Sequence, residues 1–330
     1  MKVGVVILNW NGKELLQQFL PSVIEHSKEA TIYVADNDST DTSVEYLKLN
    51  FPQVNIIQNS RNAGYAGGYN LALKSVKEDI YILLNSDVEV TENWLTPIIE
   101  VFENEPETAA IQPKILDYHK KNHFEYAGAA GGYIDKFGYP FCRGRIFQQL
   151  EEDHGQYNDD QYIFWASGAC LAIRKKAFDE VGGLDEDFFA HQEEIDLCWR
   201  LLNKGYKIKY VSASRIFHVG GATLQNMNPR KTFFNFRNGL FLLLKNIEPS
   251  RLFYILFVRM ILDGIAGLKF IFEGKFKHFF AILKAHSSFY RHYGRMKKKR
   301  PKEFIFRKYY LISSVVYAHY ISKKDKFTDL

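Results

Sequence analysis

Val3-Gly4-Val5-Val6-Ile7-Leu8 and Thr31-Ile32-Tyr33-Val34-Ala35 are two short runs rich in β-branched residues, and between them Leu15, Leu16, Phe19, Leu20, Val23 and Ile24 recur at helical spacing. Strand, amphipathic helix and strand in so short a span form a β-α-β unit. The alternation continues outward, with strand candidates at 54–57, 80–84, 109–112, 169–173 and 207–211. Thr42 and Glu45 have the spacing of a capping box at the start of the next helix, and Trp94 to Phe102 reads as a third helix. The pattern predicts an α/β fold with a mostly parallel sheet flanked by helices. Sheets of this kind bind ligands beyond the carboxyl ends of their strands, and there this chain keeps its polar residues.

With 330 residues, 46% of them hydrophobic, the chain can bury a sizeable core as one large or two small domains, which excludes a disordered protein. The net charge of +5 is unevenly spread. Residues 251–330 hold 18 Lys and Arg against 5 Asp and Glu, a net of +13, while residues 1–250 carry −8. We therefore expect a ligand-binding and catalytic domain over 1–250 and a basic, aromatic-rich helical extension over 251–330. The run Phe253 to Asp263 is apolar but interrupted by Arg259 and Asp263, and Lys269 follows. This falls short of a spanning helix and suits an interfacial one against an anionic membrane surface, with a hairpin packed on the domain as the alternative. Nucleic acid is not expected, because no base-stacking module or groove-reading motif accompanies the basic tail. Cys142, Cys170 and Cys198 form no CxxC pair and read as buried, reduced thiols. Met1 to Gly12 lacks a signal sequence, so a cytoplasmic protein is expected.

Four polar clusters follow strand candidates. Asn9-Trp10-Asn11-Gly12 comes first, and Asp36-Asn37-Asp38-Ser39 follows the second strand, where an acid suits a ribose hydroxyl. Third is Arg61-Asn62-Ala63-Gly64-Tyr65-Ala66-Gly67-Gly68, whose glycines allow close backbone approach to phosphate beside a guanidinium. Fourth is Asn85-Ser86-Asp87-Val88-Glu89, where Asp87 can ligate a hard divalent cation shared with a phosphate. Taken singly, each is equally readable as turn formers and helix caps. Residues 118–160, Gly- and Tyr-rich with the basic pair Arg143 and Arg145, lack periodicity and are long for an idle loop; they read as an insertion over the site or a surface excursion.

Together these segments resemble the inverting family 2 glycosyltransferases of GT-A fold, especially the rhamnosyltransferase-like branch that extends bacterial surface glycans. The resemblance runs from about Val3 to about Gly221. It implies a Rossmann-like mixed sheet, a nucleotide-sugar donor such as dTDP-rhamnose or a UDP-sugar, and Mg2+ or Mn2+. The family's metal motif has an acid at each end; here Asn85 replaces the first, leaving Asp87 as the metal ligand. Trp165-Ala166-Ser167-Gly168-Ala169-Cys170 resembles the segment that shapes the donor-sugar pocket. Donor-side positions are thus Asn9, Asp36, Asn37, Arg61, Asn62, Gly67, Gly168 and Ala169.

Glu193-Glu194-Ile195-Asp196-Leu197-Cys198-Trp199-Arg200 resembles the family's base-bearing segment, with Glu194 where an Asp is usual. Crowded carboxylates hold their protons more tightly, which suits a base near neutral pH. Glu193, Asp196, Trp199 and Arg200 are acceptor-side or supporting residues, and Asp196 and Arg200, four apart, can also be an ion pair. His218, in Ile216-Phe217-His218-Val219-Gly220-Gly221, is a second metal or diphosphate ligand by the same resemblance, or else a hydrogen-bonded core histidine. The acceptor implied is a growing cell-surface glycan, carried on a lipid, with the enzyme peripheral on the inner face of the membrane. Asn85 and Glu194 leave a catalytically idle glycan-binding or membrane scaffold as the alternative.

Overall fold

The computed structural model describes residues 1–220 and 228–330, so Gly221, the expected end of the family resemblance, lies outside the described residues. The first third of the chain alternates β1 (Val3–Asn9), α1 (Lys13–His26), β2 (Ala30–Asp36), α2 (Ser43–Asn50), β3 (Asn55–Gln58), α3 (Gly64–Ala72) and β4 (Ile80–Asn85). Next come β5 (Val88–Val90), α4 (Thr96–Asn104) and β6 (Thr108–Asp117). Short strands β7 (Gly132–Ile134), β8 (Pro140–Cys142), β9 (Arg145–Ile146), β10 (Gln149–Leu150) and β11 (Gln161–Tyr162) precede β12 (Cys170–Arg174), α5 (Lys175–Glu180), α6 (Glu193–Asn203) and β13 (Lys207–His218). Helices α7 (Pro229–Asn246), α8 (Pro249–Phe272), α9 (Phe276–Lys298) and α10 (Val315–Tyr320) complete it.

The main sheet has the order β11-β13-β6-β12-β4-β1-β2-β3, with β5 attached to β13. β1 to β4 are mutually parallel, but β12 runs antiparallel between β4 and β6, so the sheet is mixed. Successive strand residues face opposite layers. Val5, Ile7, Ile80 and Ile82 join a core with Leu16, Leu20 and Trp94, while Val6, Tyr81 and Leu83 join one with Tyr69, Ile195 and Trp199. A sheet buried on both sides explains why these strands read as continuous apolar runs. All three cysteines are free and buried.

Several details differ from the sequence reading. Thr42 makes no capping bond; Asp41 instead accepts from the Ser43 amide at 3.0 Å. The third helix starts at Thr96, because Trp94 is committed to the core with its indole N–H on Ser27 at 3.1 Å. β13 extends past 211 to His218 through a register shift between Val211 and Arg215, which hid it from period counting. Within 118–160, β7 to β10 form a small antiparallel sheet, and Arg143 and Arg145 turn inward, the first pairing with Asp159 over the Tyr157 ring.

The tail is a packed hairpin and also presents an apolar face. α9 lies against α7, and Lys299 pairs with Asp185 and Asp187. α8 is built inside out. Arg259 and Asp263, which interrupt the apolar run, are buried and bonded at 2.7 Å, while Phe253, Phe257, Ile261, Ile265, Leu268 and Phe272 recur every three or four residues on the exposed side. Phe253 is 83% exposed and Phe272 89%. Among the described residues, no helix is long and apolar enough to cross a membrane.

Candidate active site

The carboxyl ends of β1, β2, β4 and β13 and the start of β12 meet at one rim of the sheet. Asn9, fully buried at the end of β1, donates to Asp36 at 3.1 Å and to Ser39 at 3.2 Å. Asn37 donates to Asn62 Oδ1 at 3.0 Å and to the Gly64 carbonyl at 3.1 Å, and accepts from Asn59 at 3.2 Å. These four predicted donor residues therefore brace one another and shape the loops. Among the described residues, Asn9 Oδ1 is a buried acceptor without a partner. Arg61 is exposed and, among the described residues, has no acid within ion-pair distance. Gly67 and Gly68 have a packing reason: an added Cβ would meet Ala63 Cβ at 2.7 Å and Leu8 Cδ1 at 2.9 Å respectively. Close approach within the protein accounts for them without a phosphate.

Asp87 and His218 come together from β4 and β13. Asp87 Oδ1 lies 3.1 Å from His218 Nε2, and Asn85 Nδ2 is 3.4 Å from the same nitrogen. On the ring's other side, Nδ1 is 3.2 Å from Glu125 Oε2, an ion contact whose angle falls short of a hydrogen bond. Burial alone would lower the His218 pKa, but Glu125 and Asp87 outweigh it and raise it. Burial works against ionisation of Asp87, and the His218 charge overcomes it, so the carboxyl titrates below its ordinary value.

A cation fits this pair. Neighbouring ligands of an octahedral ion bound at about 2.1 Å are roughly 3 Å apart, and metal-binding imidazoles are ordinarily held by a carboxylate on the other nitrogen, which is where Glu125 sits. Among the described residues no three such side chains form a ready cage. Two protein ligands completed by substrate phosphates are the usual arrangement for Mg2+. Glu125 was not predicted, because it comes from the stretch without periodicity.

Gly168 and Ala169 link this rim to the carboxylates of α6. The Ala169 carbonyl accepts from the Asn85 amide at 3.0 Å, and the Gly168 carbonyl accepts from the Tyr65 hydroxyl at 2.7 Å. A Cβ on Gly168 would meet that hydroxyl at 2.9 Å. Burial, then Tyr69, Glu193 and Glu194, push the Tyr65 phenol well above its ordinary range, and the Tyr65 backbone N–H donates at 3.1 Å to the carbonyl of Phe189, in the turn that enters α6. Glu193 is buried, with Oε2 unpartnered; burial and then the Glu194 charge raise its pKa well above normal. Glu194 is half-buried, and desolvation lifts it to about 7 against the pull of backbone hydrogen bonds. A carboxylate so placed accepts a proton at neutral pH more readily than a solvated one.

The other α6 residues are internal. Asp196, fully buried, receives Arg200 Nε at 2.8 Å, Lys245 at 2.8 Å and Asn246 at 2.9 Å, and Trp199 packs edge-on against Phe164. Arg200 also caps the Val181 and Gly183 carbonyls. They support the helix from behind.

The turn into α6 is strained. Phe189, His191 and Gln192 have φ of 64°, 70° and 69°, a left-handed region costly for residues with a Cβ. Asn238 of α7 holds it, its buried amide donating to the carbonyls of Phe188 at 3.1 Å, Ala190 at 2.9 Å and His191 at 2.6 Å. Arg237 adds bonds to Asp187 and Phe188. No sequence pattern marks Asn238, which occupies an ordinary position on an amphipathic helix. Asn238→Asp sets a carboxylate against those carbonyls. We expect turnover to fall at least about tenfold and stability by about 1–3 kcal/mol, the cost of buried groups left unpaired, with nucleotide affinity little changed. Wild-type kcat in the variant would remove this role.

Residues 4–182 match the family described as Glycosyl transferase family 2. Over 233 residues the chain is 25% identical to the N-acetylglucosaminyl-diphospho-decaprenol L-rhamnosyltransferase of Mycobacterium tuberculosis, covering 65% of this chain and 75% of that protein. Among solved structures, S. aureus TarS 1–349 in complex with UDP-GlcNAc superposes with a TM-score of 0.58 at 13% identity, over 91% of this chain and 84% of that one. GalNAc-T7 with UDP, GalNAc and Mn2+ gives 0.54 at 21% identity over 66% of this chain, which spans only 43% of that protein.

Proposed function

This chain belongs to glycosyl transferase family 2 and is a transferase of GT-A fold, and from that premise we propose that it moves a sugar from a nucleoside-diphosphate sugar to a hydroxyl of a lipid-linked, growing cell-surface glycan, inverting the anomeric centre. The observation that carries this reading is one rim holding the Asp87–His218 pair and, through Gly168 and Tyr65, the neutral-range carboxylate of Glu194.

Glu194 takes the proton of the acceptor hydroxyl as that oxygen attacks the anomeric carbon from the face opposite the nucleotide. The new C–O bond forms while the bond to the diphosphate breaks. Asp87 and His218 are the residues that would hold Mg2+ or Mn2+, with Glu125 fixing the imidazole. A cation held there would supply positive charge to offset that of the departing diphosphate. Arg61, unpaired at the rim, supplies a further positive charge to the same group. Asn9, Asp36, Asn37 and Asn62 keep the nucleotide side of the pocket in shape.

For the donor, the rhamnosyltransferase relative and the neighbours carrying UDP and UDP-GlcNAc support dTDP-rhamnose or a UDP-sugar. That relative's lipid-linked substrate supports a lipid-linked acceptor here. The outward apolar stripe of α8 beside a tail of net +13 supports peripheral attachment to an anionic membrane surface on the cytoplasmic side. The test is release of nucleoside diphosphate from a panel of nucleotide sugars. We expect one donor to be consumed, and much faster with a polyprenyl-diphosphate-linked sugar than without. Binding of nucleotide sugar with no release under any acceptor would sink the reading in favour of a non-catalytic role.

A further inference from the structure

Where the start of α7 crosses α9, an open groove of about 570 Å³ is walled by Pro229, Phe233 and Phe280 and rimmed by Arg230, Lys277 and Lys284. Among the described residues, none of these three cations has a carboxylate within ion-pair distance, and the neighbouring residues 221–227 contain no Asp or Glu in sequence. Other cations of the tail are held by acids, as where Lys299 meets Asp185 and Asp187 or Arg259 meets Asp263. Three unneutralised cations around aromatic walls select a ligand that is anionic at one end and apolar at the other.

The groove's two ends lead in different directions. Arg230 lies over the rings of Phe189 and Phe234, at 5.8 and 5.7 Å, and those rings stack on each other at 5.7 Å. Phe189 belongs to the strained turn that enters α6, and its carbonyl accepts from Tyr65 at 3.1 Å. Away from that turn, Phe276, Phe280 and Leu283 lie exposed along α9 and continue the apolar surface of the hairpin. An amphiphile here meets Arg230 beside the turn that enters α6, and along α9 meets Lys277 and Lys284 interleaved with exposed apolar side chains.

We propose that this groove binds the phosphate end of the acceptor's lipid carrier, with Arg230, Lys277 and Lys284 on the phosphate and Phe233 and Phe280 on the first carbons of the chain. The proposal rests on the lipid-linked acceptor reading above.

The test uses the full chain and farnesyl phosphate as probe, with farnesol and inorganic phosphate as the separate ends, followed by calorimetric titration. Two double variants carry the same charge change, Lys277→Glu with Lys284→Glu in the groove and Lys297→Glu with Lys298→Glu farther along α9. Wild type is expected to bind farnesyl phosphate at least tenfold tighter than either end alone. The groove double should lose at least tenfold and the distal double less than twofold, with both retaining nucleoside diphosphate binding. Equal losses in the two doubles, accompanied by equal losses on phosphatidylglycerol vesicles, would assign the cations to the bilayer surface and overturn the proposal. So would farnesol binding as tightly as farnesyl phosphate. Sugar transfer to a lipid-free acceptor as fast as to a lipid-linked one would instead remove the reading beneath it, whatever the titrations give.

Discussion

Glu194→Gln is expected to lower kcat by about 10²–10⁴-fold, the range contributed by a positioned general base, while nucleotide affinity stays within about twofold. The amide keeps the shape of the side chain and cannot accept the proton. The wild-type pH profile gives an independent check. Burial lifts Glu194 to about 7, and the reactive form is the ionised one. Activity should therefore rise as pH increases toward 7, level off above it, and fall about tenfold per unit well below. The stability sign is opposite. A carboxyl whose folded pKa is raised favours the folded state in its protonated form, so its contribution is complete at acid pH and is lost as pH rises through about 7. Full turnover by the Gln variant, or an acid limb centred near pH 4, would eliminate Glu194 as the base.

Asp87→Asn should abolish the stimulation of nucleotide binding by Mg2+ or Mn2+ and lower kcat/KM by at least roughly 10²-fold. Removing an outer partner of a metal ligand already costs 10–100-fold, and a ligand itself should cost no less. The substitution preserves volume but removes the charge that balances His218, leaving the imidazole to Glu125 alone. Titration of divalent cation against the variant in the presence of nucleoside diphosphate reads the effect directly. An unchanged cation dependence would take the metal role away from Asp87.

Much of the sheet was legible because strands such as Ile80–Asn85 are short, buried apolar runs that end in polar residues, although β6 carries Gln112 and Lys114 within its buried length. Asp87 could be singled out because it follows an apolar strand, whereas Glu194 and His218 were singled out by the resemblance of their segments to the family's. Their partners could not. Glu125 reaches His218 from a stretch whose fold depends on hairpins too short to show a period, and Asn238 acts through backbone carbonyls, which leave no trace in the residues they belong to. Gly67 and Gly68 also have a packing reason that the sequence does not show, since a Cβ there would meet Ala63, Leu8 and Asn37. In α8, charged residues that looked like breaks in an apolar helix are its interior, a reversal that hydropathy along the chain cannot distinguish from an ordinary interruption.

That reversal has a mechanical side. Arg259 also bonds to the carbonyls of Phe137 and Gly138, and Asp263 receives Tyr139 at 3.1 Å and lies 3.1 Å from His286 of α9. Both helices of the hairpin are thus bolted to the turn between β7 and β8 instead of trailing from a flexible tether, whose reach would wander with thermal motion. Breaking a buried pair by removing one partner costs about 3–5 kcal/mol, so this network holds the hairpin in place on the domain. Under the peripheral attachment proposed above, a hairpin fixed in this way would hold the reacting rim at a set height over the headgroups.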